Sequence, residues 1–197
     1  MPSTDPTPTD PLALKLALAH PEGQAVYLAR PCQFTGTDRC ARKYWTDTRF
    51  SVEVVRAMNL AIDQLKARFS AQEIELVGSS GGGAIAALLA ARRTDVVYLI
   101  TVAGNLDRAA WTRLHRISPL TGSLNPADEA QRVVHIAQRH WVGGKDRNIP
   151  AEITRSFTQR GGIDSSSVQI IDAYDHHCCW VEGWPGIYLG FPTSFKP

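Results

Sequence analysis

The sequence predicts an α/β fold: a mostly parallel sheet with helices on both of its faces. Three observations carry that prediction. Short, β-branched apolar runs alternate along the chain with longer amphipathic or alanine-rich segments. The apolar runs are nearly continuous, the pattern of strands buried on both faces. A glycine-rich stretch, Gly78-Ser79-Ser80-Gly81-Gly82, also joins an apolar run directly to an alanine-rich one, as a strand turning into a helix would.

The elements follow in chain order. Residues 1–11 (MPSTDPTPTDP) hold almost nothing to bury and read as a flexible, Pro/Thr-rich leading segment. Residues 12–197 read as a single domain, long enough to bury a substantial core. Pro11 to His20 is rich in Ala and Leu and predicts a short helix, with Asp10 as cap and Pro11 at its first position. Gln24 to Ala29 is a short apolar run and predicts a strand. Ser51 to Phe69 is the clearest helix, because Val54, Val55, Met58, Ile62, Leu65 and Phe69 share one face. Ser51 and Glu53 mark its start.

Beyond it, Glu73–Val77 predicts a strand and Gly83–Arg93 a helix, with Val96–Val102 as the next strand. Val133–Ala137 and Ser167–Ile171 complete a set of five strands. Helices are expected over Pro150–Gln159 and Cys179–Leu189, the second interrupted by Pro185. No internal repeat is visible.

Composition excludes some partners. Lys plus Arg number 21 and Asp plus Glu 19, too balanced to favour nucleic acid or an anionic lipid surface. The most apolar early run, Leu12–Ala19, contains Lys15 and is too short to span a bilayer. The leading segment lacks the basic start and apolar stretch of a signal peptide. The expectation is a soluble chain with no integral membrane segment, exported only if a signal-bearing segment lies upstream.

Chemistry concentrates at three places. Gly78, Ser80 and Gly82 form a G-x-S-x-G pattern between strand and helix. A tight turn there would force Ser80 into a strained conformation and push its hydroxyl out above the sheet. Glycines at 78 and 82 are expected because a side chain would clash across the turn. The N–H of Gly81, at the helix start, could donate to an oxyanion with the helix dipole behind it. In a parallel sheet, sites form at the carboxyl ends of the strands, so polar residues after later strands come next. Asp146 lies in Trp141-Val142-Gly143-Gly144-Lys145-Asp146, and His176 and His177 follow the last strand. A histidine beside Ser80 would take its proton, and a buried carboxylate would hold the imidazole in the correct tautomer.

With those motifs in view, the chain resembles the α/β-hydrolase superfamily. The resemblance rests on the elbow at Ser80, the Gly144-Lys145-Asp146-Arg147-Asn148-Ile149-Pro150 loop and His176-His177 ahead of Trp180, in that order. It runs from about Gln24 to Leu189. It implies Ser80 as nucleophile, Asp146 as acid, one of His176 or His177 as base and Gly81 as an oxyanion donor. The resemblance favours His176, while the residues themselves do not separate the two. It also implies that the long stretch after Val102 lies over the site, with Asn105, Leu106 and Trp111 lining the substrate.

One part of the family pattern has no match. The second oxyanion donor belongs to a loop after an earlier central strand, and residues 1–23 hold only the proline-rich segment and a helix. The chain is therefore expected to lack the family's N-terminal strands and oxyanion loop. An exposed strand edge would remain, open to self-association.

Four cysteines complete the inventory. Cys32 and Cys40 flank a polar loop and could close a small disulfide, whereas Cys178 and Cys179 are adjacent and are expected not to pair with each other. The Asp175-His176-His177-Cys178-Cys179 cluster lacks the paired spacing of structural zinc ligands. The expected function is serine-dependent hydrolysis of a small-molecule ester, less readily of an amide, with no cofactor, no metal and no nucleic-acid partner. The alternative is a catalytically silent hydrolase-like protein that acts by binding.

Overall fold

A computed structural model of the chain describes residues 4–38 and 40–190. Four parallel strands form one sheet in the order β1 (Ile74–Ser79), β2 (Val96–Val102), β3 (Ala137–Gly143) and β4 (Val168–Ile171). Sequential order across the sheet means that each connection crosses over one face. The crossovers contain α3 (Gly81–Ala90), α4 (Arg108–Leu114) and α5 (Ala151–Gly161). Helices α1 (Leu12–Leu18) and α2 (Val52–Phe69) precede the sheet, and α6 (Trp180–Leu189) follows it. The chain has the mostly parallel, helix-flanked architecture that its sequence predicts.

Burial explains the strand sequences. Leu99 and Ile100 are neighbours in β2, are almost completely buried and belong to clusters on opposite faces of the sheet. On one face Leu99 packs with Ala86 and Ala87 of α3, Leu106 and Phe157 of α5. On the other, Ile100 and Val102 meet Leu16 of α1 and Trp180 and Trp184 of α6. A third cluster joins Val54, Val55, Met58 and Ile62 of α2 to Ile85, Leu88 and Leu89 of α3, with Phe50 and Leu120. That is the apolar face read from the spacing of α2. Ser51 caps this helix, its Oγ accepting from the N–H of Val54. The run of alanines in α3 is buried almost throughout, which is why α3 can lie against β1, β2 and α2 at once.

Three expectations are corrected. Gln24–Ala29 has no regular secondary structure and, among the described residues, pairs with no strand, so the sheet has four strands rather than five. The apolar run near Val133 is a 3-10 turn, Ala130–Val133, and β3 begins only at Ala137. It includes Trp141-Val142-Gly143, read from the sequence as loop. The strand was hidden by Gln138, Arg139 and His140, polar residues in mid-strand. His140 is nevertheless buried, because Thr101 and Gln138 satisfy its two ring nitrogens at 2.9 and 3.0 Å. Finally, Cys178 and Cys179 are joined as a disulfide despite being adjacent, as are Cys32 and Cys40. Among the described residues, no helix is long and apolar enough to cross a membrane.

Candidate active site

Ser80 sits between the last residue of β1 and the first of α3, with φ 51° and ψ −122°. A positive φ is costly for a residue with a side chain and persists only where surrounding structure enforces it. Here three main-chain bonds do so. The Ser80 N–H donates to Val102 O, and its carbonyl accepts from Gly83 and Asn105, each at 3.0 Å. The elbow needs glycine at 78, where a Cβ would lie 2.4 Å from Gly82 O. The second required glycine is not Gly82, as the motif suggests, because a Cβ there meets nothing within 4 Å. It is Gly83, whose Cβ would lie 2.8 Å from Gly104 Cα, where the loop after β2 crosses the helix.

The loops after β3 and β4 bring the other two groups to Ser80. Asp146 follows β3 and is buried, and its Oδ1 accepts the N–H groups of Asn148 and Ile149 at 2.8 Å each. Those bonds aim Oδ2 at His176 Nδ1, 2.8 Å away. Because a carboxylate only accepts, Nδ1 carries the proton and Nε2 is left to accept. Nε2 lies 3.1 Å from Ser80 Oγ. The His176 side chain is 12% exposed and that of Asp146 0%, so the pair is shielded while the serine side remains reachable. Two residues, 30 and 96 positions from His176 in sequence, thus join it in a continuous chain of hydrogen bonds.

His177 is not part of that chain. It is exposed, and its ring meets the edge of the His176 ring at 5.1 Å. Asp175 holds the turn that separates the two histidines, its Oδ1 accepting from the N–H of both His177 and Cys178 at 2.8 Å. The backbone bond from Cys178, followed by that from His177, also holds the Asp175 carboxyl below its ordinary range. Trp180 Nε1 donates to Asp175 O at 2.9 Å and ties the loop to the core.

The residues expected over the site separate in the structure. Trp111, on α4, is half-buried and donates from Nε1 to Asn148 O at 3.0 Å, next to the Asp146 loop. His115, one turn further on, shares the same carbonyl at 2.7 Å and was not anticipated from sequence. Asn105 is buried, with its N–H on Ser80 O and its Oδ1 without a hydrogen-bond partner among the described residues. Leu106 is a correction: it is completely buried in the cluster between α3 and α5 and lines no surface. Gly81 opens α3, so its N–H is among the four that a helix leaves without an internal partner.

No family model matches the chain, and no curated protein does. Solved structures do. An esterase of Pyrococcus furiosus superposes with a TM-score of 0.56 at 10% identity, covering 79% of this chain and 63% of its own. An α/β hydrolase from a lagoon-sediment metagenome gives 0.53 at 15% identity, with 73% and 71% covered. A puromycin hydrolase gives 0.52 at 18%, with 70% and 24% covered. This chain therefore spans less than two thirds of the esterase and about a quarter of the puromycin hydrolase. At such identities the likeness is one of fold, and the fold is that of the α/β hydrolases.

Proposed function

We propose that the protein is a serine hydrolase that cleaves a small-molecule ester through an acyl-serine intermediate. The observation that carries this reading is the hydrogen-bonded line from Ser80 Oγ through His176 to Asp146, at 3.1 and 2.8 Å, on a serine held at positive φ. A serine hydroxyl is a weak nucleophile without a base in reach, and His176 Nε2 is in reach. Ser80 Oγ attacks the ester carbonyl carbon as its proton passes to Nε2. The carbonyl oxygen becomes an oxyanion facing the N–H of Gly81, at the positive end of α3. Collapse expels the alcohol, which takes the proton from Nε2. Water then repeats the sequence against the acyl-serine, with His176 again as base, and frees the acid. Asp146 keeps the imidazole in the tautomer that both halves need and stabilises its cation.

The test is labelling with a fluorophosphonate, which modifies activated serines, followed by mass spectrometry of the adduct. We expect one adduct, on Ser80, absent from Ser80→Ala, and turnover of p-nitrophenyl butyrate that disappears with it. A folded parent that neither labels nor turns over the ester would overturn the reading.

A further inference from the structure

Next to the elbow lies a half-buried cation to which the proposed reaction gives no role. Arg30 follows the segment Gln24–Ala29 that precedes α2, and its Nη1 is buried without a hydrogen-bond partner among the described residues. No carboxylate among the described residues forms an ion pair with it. Its surroundings are instead hostile to positive charge. Burial, with the Arg49 guanidinium adding repulsion, pulls the Arg30 guanidinium down to about 10. A guanidinium has only donors, so an enclosed Nη1 with no acceptor beside it asks for an anion.

Its position says which anion. A Cβ built on Gly81 would lie 4.0 Å from Arg30 Nη1 and 3.5 Å from the Phe50 ring. The cation thus stands beside the first residue of α3, a ten-residue helix. Arg30 also shares with Ser79 and Gly82 the lining of a cavity of about 540 Å³ along β1, walled further by Leu28, Ile62 and Leu89.

We infer that Arg30 Nη1 and the N-terminal N–H groups of α3 form one site for a negatively charged oxygen of the substrate. The inference rests on Ser80 being the nucleophile. The oxygen has two sources: the oxyanion formed at the reacting carbonyl, or a free carboxylate that the ester carries. Either gives Arg30 Nη1 its missing acceptor and places the charge where the helix dipole supports it.

Binding is tested apart from catalysis. Ser80→Ala protein is titrated with butyrate by calorimetry, alone and combined with Arg30→Met or Arg30→Lys. Butyrate should bind, should lose at least tenfold in affinity with Met, and should recover part of that loss with Lys. Kinetics on p-nitrophenyl butyrate and p-nitrophenyl hemisuccinate then separate the sources. If the oxyanion is held, Arg30→Met lowers kcat on both esters by roughly 10²-fold with little change in KM. If a substrate carboxylate is held, only the hemisuccinate suffers, through KM. Butyrate binding that does not depend on residue 30, or unchanged kinetics on both esters, would overturn the inference. Should fluorophosphonate fail to label Ser80, the calorimetry still decides the anion site. Should the Met variant fail to fold, Arg30→Gln replaces it in both measurements.

Discussion

His176 Nδ1 lies 2.8 Å from Asp146 Oδ2, and the loops that carry the two residues are bonded to each other. Gly144 N–H donates to Ile171 O and Lys145 N–H to Tyr174 O, both at 2.9 Å. The side-chain contact is therefore the outer rung of a short main-chain ladder that continues the β3–β4 pairing beyond the sheet. Its geometry does not depend on the charge of Asp146.

That independence makes Asp146→Asn informative. The amide oxygen can still accept from Asn148 and Ile149, so the circular dichroism and melting temperature should stay close to the parent's. Hydrolysis of p-nitrophenyl butyrate should fall by roughly 10⁴-fold in kcat, because an amide can present a donor to Nδ1 and so favour the wrong imidazole tautomer. Unchanged kinetics would move the acid elsewhere, to Asp172 or Asp175.

The adjacent histidines should behave oppositely. His176→Ala removes the group 3.1 Å from Ser80 Oγ and should reduce turnover and fluorophosphonate labelling to background. His177 is exposed and its ring stands edge-on to the neighbouring ring, outside the hydrogen-bond line to Ser80 Oγ, so His177→Ala should keep activity within a few-fold. A reversal of these two results would assign the base to His177.

The elbow yields a stability prediction with an internal control. At Gly78 an added methyl group would sit 2.4 Å from Gly82 O and 2.7 Å from Gly83 N, main-chain atoms that cannot move without opening the turn. Gly78→Ala should cost about 1–3 kcal/mol or more, read as a lower urea midpoint. Gly82→Ala, one turn away with open space around the new methyl, should unfold near the parent midpoint. Equal midpoints for the two variants would show that the turn relaxes.

His140 should shape stability in acid. It is buried as the neutral imidazole, with Nε2–H donating to Gln138 Oε1 and Nδ1 accepting from Thr101. Burial, with Arg139 adding repulsion, pushes it down to about 3. The folded value lies below the unfolded one, so the unfolded chain takes up the proton first as pH falls. The contribution is complete above about pH 6.5 and is lost toward pH 3, at roughly 1.4 kcal/mol per pH unit. His140→Gln should be less stable at neutral pH yet lose stability less steeply between pH 6 and pH 4. Parallel curves for parent and variant would show that other groups govern the acid limb.

How much of this was legible beforehand varies with how local the cause is. The apolar spacing of α2, the β-branched run of β2 and the glycines around Ser80 are each dictated by neighbours within a turn or a strand. Their places in the structure match the sequence closely: β2 spans Val96–Val102 as read, and α2 begins one residue after its cap. The order of Ser80, Asp146 and His176 along the chain was legible for the same reason, since each follows an apolar run at the strand end where a parallel sheet presents its loops.

Long-range pairing accounts for the rest. Whether Gln24–Ala29 is a strand depends on a hydrogen-bonding neighbour, which the described residues do not supply. Strand β3 carries polar residues in mid-strand because the polarity of His140 is cancelled by partners 39 and 2 residues away. The choice between His176 and His177 turns on an Asp175-centred turn, and Leu106 faces the core because of how the chain leaves β2. Arg30 is an ordinary arginine in sequence; only burial beside Gly81 makes it conspicuous. Local patterns therefore specified the elements and the reactive residue types. Which side chains meet, and which charge is left without a partner, followed from packing between segments far apart in the chain, where each contact depends on all the others that hold it in place.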